Sequence, residues 1–139
     1  MRRLMILAVA VGCSGSGPSE PVGPCAARNG TYSTSYTTRS GDCGTRPEQL
    51  FVVHPGDDVA AVAKAAGCTG KWSNTADGCR VTTELTCPGA TGYSVHTVDV
   101  ADWAKDGATG RATEQLTISD AATGLIQCSG TYDLTFSRL

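Results

Sequence analysis

Six cysteines, Cys25, Cys43, Cys68, Cys79, Cys87 and Cys128, run through a stretch with few large apolar side chains, and they set the terms on which it can fold. Aromatic residues make up 6% of the 139-residue chain, and both methionines, Met1 and Met5, lie at its beginning. A single domain of this size with so thin a core needs covalent help, and six cysteines are enough for three disulfides. Spacing alone leaves the pairing open. One combination is excluded by geometry: if Cys79 and Cys87 share an extended strand, they lie roughly 26 Å apart, beyond any disulfide. Cys68 with Cys79, bracketing Thr69 to Gly78, is a reasonable local pair, and Cys128 must then find its partner on a neighbouring strand.

The seventh cysteine, Cys13, has a different setting. Arg2 and Arg3 precede the uncharged run Leu4 to Gly12, which is far shorter than the ~20 residues of a membrane-spanning helix. The run ends in Ala10-Val11-Gly12-Cys13, which resembles a bacterial lipobox, with Ala10 where Leu is usual. In that motif small residues let a peptidase cut before a cysteine that receives a diacylglycerol. Ser14 to Pro24 is nearly all Ser, Gly and Pro, the composition of a flexible tether. The expected organisation is a signal peptide at 1–12, a lipidated Cys13 with its tether at 13–24, and a disulfide-stapled β domain at 25–139. The odd cysteine count agrees, because lipidation removes one thiol from an oxidising compartment and leaves an even number. These features place the chain outside the cytoplasm, partnered with a membrane through a lipid anchor. Ser14 after the lipidated residue points to the outer membrane of the cell envelope.

The body reads as mainly β. Every Thr lies at or beyond Thr31, and a β-branched hydroxylated side chain suits the wet face of a strand. From Leu125 to Arg138 one parity reads Ile126, Cys128, Gly130, Tyr132, Leu134, Phe136, and the other is mostly polar. Cys79, Val81, Thr83, Leu85 and Cys87 alternate in the same way, as do Ala112, Leu116 and Ile118, with Glu114 interrupting the apolar parity. Such period-two patterning marks half-buried strands. Lys105-Asp106-Gly107, Asp120 to Gly124 and Asp77-Gly78 supply turns, the first two short enough for hairpins. Asp57 to Ala66, acidic at its start, rich in alanine and stopped by Gly67, is the one expected helix. Arg39 to Arg46 reads as a loop. The architecture this predicts is an antiparallel meander, forming a small closed or partly open barrel. Gly30-Thr31-Tyr32-x-x-x-Tyr36 recurs as Gly130-Thr131-Tyr132-x-x-x-Phe136, so the first and last strands can lie side by side.

The segments NGTYSTSYTTRSGDCG, KDGATGRATEQLTISD and CSGTYDLTFSRL are similar to those of small, cysteine-paired, Thr-rich β-domain lipoproteins of predatory, myxobacterial-type bacteria. That resemblance covers most of residues 29–138 and implies a fold and an address, with no activity attached. A looser likeness is to calycin-type barrels, whose opening Gly-x-Trp has Tyr32 in place of the Trp.

Chemistry-bearing patterns are sparse. The 11 basic and 13 acidic residues leave a net charge of −2, so no basic patch suits nucleic acid. Neither His54 nor His96 stands in a motif with a serine, so no catalytic residue is expected and the chain is not expected to be an enzyme. Asp99, Asp102 and Asp106-Gly107 lack EF-hand spacing, and no C-x-x-C offers zinc ligands, so neither metal nor cofactor is expected. Trp72 and Trp103 are the side chains most suited to contact a ligand or partner, although a core or rim position suits each better. The expectation is a non-catalytic binding or structural module for an unknown protein or small ligand. The alternative is a small β-barrel inhibitor of secreted proteases or lysozyme, acting through the Arg39 to Arg46 loop.

Overall fold

The computed structural model describes residues 25, 29–53, 64–75 and 78–139. The strands are β1 (Gly30–Gly41), β2 (Gln49–Val53), β3 (Thr69–Asn74), β4 (Arg80–Pro88), β5 (Tyr93–Trp103), β6 (Thr109–Asp120) and β7 (Ile126–Arg138). They form one antiparallel sheet in the order β2-β1-β7-β6-β5-β4-β3. Strands β3 to β7 are the expected meander, each paired with its successor. The β1–β2 hairpin then joins the far side of β7.

The sheet curls strongly into a half-barrel that stays open. The strands carrying the repeated Gly-Thr-Tyr motif do lie together, running antiparallel from Tyr32 opposite Arg138 to Gly41 opposite Gly130. Their pairing does not close a barrel, because β1 hands on to β2, and among the described residues β2 ends the sheet on one side as β3 does on the other. Each motif tyrosine is fully buried and reaches a loop carbonyl: the Tyr32 hydroxyl donates to Gly107 O at 2.7 Å, and the Tyr132 hydroxyl to Gly44 O at 3.0 Å. The repeat thus ties down two different loops.

Turn chemistry accounts for the hairpins. Gly107 takes φ 64° between Ala104 and Thr109, and the Asp106 carboxylate caps the Ala108 amide at 2.8 Å. Asp120 Oδ1 accepts from the amides of Ala122 and Thr123 before Gly124 at φ 73°, the Asx pattern of such turns. Gly78 turns the chain into β4 with φ 68°. Of the expected helix at Asp57 to Ala66, Lys64 and Ala65 are helical, Ala66 is already in a turn, and the Gly67 amide closes on Lys64 O at 3.0 Å; Asp57 to Ala63 lie outside the described residues.

Two expectations need correction. Strand β1 runs through Gly41, so Arg39 is a strand residue and the loop spans 42–48. The extension is held by Asp42, whose amide donates to Ser129 O at 2.9 Å and whose carboxylate accepts from the Ser129 amide at 2.8 Å. The disulfides are Cys25–Cys79, Cys43–Cys128 and Cys68–Cys87, not Cys68 with Cys79. The β3–β4 register sets this, since Thr69 opposite Thr86 brings Cys68 beside Cys87, with Cα atoms 4.1 Å apart. Cys79 pairs instead with Cys25, which is buried against the core. As required, Cys79 and Cys87 do not pair with each other.

The concave face holds the core. At the end nearest the β5–β6 turn, Trp103 stacks on Phe136 with centroids 5.3 Å apart, Tyr32 stacks on Phe51 at 5.1 Å, and edge contacts join the two stacks. Such pairs contribute ~0.5–1.5 kcal/mol each beyond their area. Gly110 sits between Trp103 and Phe136 in the ladder, and a Cβ there would press on both rings at 3.1–3.2 Å. Trp103 is therefore a core residue, 5% exposed, rather than a surface contact.

Candidate binding site inside the half-barrel

Residues directly opposite one another in antiparallel strands project from the same face. Trp72, Thr83, Asp99, Glu114 and Tyr132 form one such row across β3, β4, β5, β6 and β7. Rows on either side are mostly apolar, with Val81, Ala101, Ala112 and Leu134 on one flank and Leu85 and Leu116 on the other. A polar stripe therefore crosses the floor of an apolar trough. Asp99 and Glu114 are 3% and 1% exposed, and like charges directly opposite each other repel unless something compensates.

Arg46 supplies part of that compensation. It comes from the 42–48 loop, pairs with Glu114 Oε1, and places its guanidinium 4.1 Å from the Tyr36 ring centroid and 5.5 Å from that of Tyr132. A weakly hydrated, planar cation held between ring faces suits a buried ion pair. Burial raises the Tyr36 hydroxyl above its usual pKa, against the opposing influence of Arg46; that hydroxyl donates to Gln49 Oε1 at 3.2 Å. The loop carrying Arg46 is braced by Cys43–Cys128 and by the Tyr132 hydroxyl on Gly44 O.

Asp99 is less well served. Thr83 Oγ1 donates to its Oδ2 at 3.0 Å, while Oδ1 is buried with no hydrogen-bond partner among the described residues. Burial pushes its pKa up to about 6, opposed by the Thr83 hydroxyl, by the Arg46 charge and by the Thr97 hydroxyl. The stripe thus holds two carboxylates and one guanidinium, and the guanidinium is taken up by Glu114.

The convex face carries a second cluster. Thr86 Oγ1 lies 3.0 Å from His96 Nδ1, His96 Nε2 lies 3.9 Å from Glu84 Oε1, and Lys71 Nζ lies 2.9 Å from Glu84 Oε2. These residues line an open groove of about 310 Å³ with Thr69 and Gly70. Lys71 holds the Glu84 carboxyl below its usual range. His96 is therefore remote neither from a carboxylate nor from a groove. The cluster faces water, and Glu84 is shared between Lys71 and His96.

Of the other residues singled out in the sequence, Trp72 is half-buried at the β3 end of the inner stripe. Cys13 and His54 lie outside the described residues. Asp102 pairs with Arg80 and Asp106 caps its own turn, so neither joins Asp99 in a cation site. Arg46, Tyr36 and Glu114 were not legible as a site. Glu114 did interrupt an apolar parity, and Asp99 shares the inward parity of Val95 and Trp103; those two carboxylates were the available signal.

Comparison with protein-family models, with curated proteins and with solved structures found no match to this chain.

Proposed function

We propose that the chain is an exported, lipid-anchored protein of the cell envelope, in the outer membrane, whose half-barrel is a non-catalytic binding module. The observation that carries this reading is the cysteine pairing. All six cysteines of the body are joined in three disulfides, which suits an oxidising compartment. Cys13 alone is left over, at the end of a short apolar run and before a Ser/Gly/Pro tether. The polar stripe in the trough supports binding over a purely structural role, because a scaffold gains nothing from a buried, half-satisfied carboxylate.

The intact mass of the protein extracted from its own membranes tests the address. A product beginning at Cys13, carrying lipid and lacking six thiol hydrogens, is expected. An unlipidated product cut elsewhere, or free thiols, overturns it.

One observation favours the inhibitor reading as an alternative: the 42–48 loop is braced at both Cys43 and Gly44. Its arginine is turned inward, however, so Asp42, Gly44, Thr45, Pro47 and Glu48 are what the loop shows to solvent. A panel of secreted proteases and lysozymes left at full activity by excess protein disposes of this alternative.

A further inference from the structure

The buried stripe is short of one positive hydrogen-bond donor. Asp99 and Glu114 face each other across β5 and β6, Arg46 is spent on Glu114, and Asp99 Oδ1, on the inner face and shut off from solvent, has no hydrogen-bond partner among the described residues. An ionised carboxylate with a bare oxygen in such a setting is costly. We propose that the trough binds the primary ammonium group of a small ligand, seated on Asp99 Oδ1 with Trp72 of the same row beside its stem. The inference rests on the reading of the half-barrel as a binding module and is independent of the lipid anchor.

Three features select an ammonium over other cations. A metal ion needs several donors, and among the described residues the only set of three in reach is Asp42, Cys43 and Cys128, whose cysteines form a disulfide. A guanidinium seeks two acceptors side by side, whereas Asp99 offers one free oxygen because Thr83 holds the other. An ammonium is a compact point donor, satisfied by a carboxylate oxygen and neighbouring hydroxyls such as Thr97. Trp72 belongs to the same row, two strands from Asp99, which is ~9–10 Å at the usual strand spacing. An aromatic ring at that distance suits the stem of a short alkylamine.

The test uses the full chain with propylammonium as the probe, and sodium and calcium chloride at matched ionic strength as controls, at pH 8. Propylammonium is expected to raise the thermal midpoint by about 5 °C at saturating concentration, with the salts inert. Asp99→Asn is expected to fold and to lose the response. The Asp99 carboxyl resonance, followed by NMR in the unsubstituted protein, is expected to move with the probe and gives a readout that needs no variant. Absence of both responses overturns the proposal and leaves a buried water on Oδ1. An equal response in Asp99→Asn moves the binding to the surface, and a response to calcium alone makes the ligand a metal; either result also overturns it. A protein that binds propylammonium but carries no lipid refutes the address and leaves this inference standing.

Discussion

Asp99 and Asp102 sit three residues apart on β5, one facing the trough and the other facing solvent, and the fold moves them in opposite directions. Asp102 receives both arms of Arg80, at 2.7 and 3.0 Å, and that hydrogen-bonded guanidinium holds its carboxyl below the usual range. Asp99 has the hydroxyls of Thr83 and Thr97, a distant share of Arg46 and almost no water, and it is pushed up to about 6. The same side chain is a settled anion on one face and a hesitant acid on the other. Burial, more than the number of neighbours, makes the difference: desolvation is the leading cause at Asp99, and direct hydrogen bonding is the leading cause at Asp102.

The comparison is most easily broken at Glu114. Glu114→Ala leaves the Arg46 guanidinium buried between Tyr36 and Tyr132 with no counter-charge, and loss of one member of a buried pair costs about 3–5 kcal/mol. Urea denaturation reads this directly. A loss under about 1 kcal/mol means that water reaches the stripe and that the contrast between faces is overdrawn.

Asp99→Asn sharpens the comparison. Because the folded pKa lies above the unfolded value, the folded protein holds an extra proton between roughly pH 4 and pH 6, and its stability falls as pH rises through that window. A carboxyl raised from 3.8 to about 6 loses roughly 3 kcal/mol of stability across it. The asparagine variant should therefore gain up to about that much stability at pH 7, and its stability should lack the decline between pH 4 and 6. Denaturation midpoints of both proteins across that range decide the matter; parallel profiles mean that Asp99 is not the group that titrates.

Tyr36→Leu tests the ring under Arg46. With the Glu114 contact intact, removing one cation–π face is expected to cost about 1–2 kcal/mol in the same assay. Arg80→Ala on the outer face is the smallest expected effect. At physiological salt its midpoint should match the parent protein, because an exposed pair is screened and solvated. Whatever Arg80 contributes through Asp102 is present above the unfolded carboxylate pKa and disappears as pH falls below it. The acid limb of the stability curve is thus where this variant should differ.

Much of the sheet is legible in the chain. The parity of Tyr132, Leu134 and Phe136, and that of Val81, Thr83 and Leu85, matches the buried faces of β7 and β4. The turns at Lys105-Asp106-Gly107 and Asp120 to Gly124 fall where their residues demand. The partnership of the two Gly-Thr-Tyr strands was foreshadowed by their shared spacing. The disulfides were half-legible: geometry on one strand forbids Cys79 with Cys87, whereas choosing Cys87 for Cys68 requires the β3–β4 register. Of the candidate site, the two carboxylates left a trace as acidic residues on inward parities. Arg46 left none, because it reaches Glu114 from a loop 68 positions away in the chain.

What the sequence by itself determined is local: which residues alternate, where the chain reverses, and that six cysteines in a thin-cored body must pair. These follow from the period of an extended backbone and from conformational preferences that act over a few residues. Tertiary structure decided the order of strands beyond the meander, the failure of β2 and β3 to meet, and the meeting of Arg46, Glu114 and Asp99 inside the trough. Those depend on how far the sheet curls and on which long-range contacts repay closing a loop. The charge on Asp99 belongs to the same category, since a carboxyl's pKa is set by the solvent it has lost.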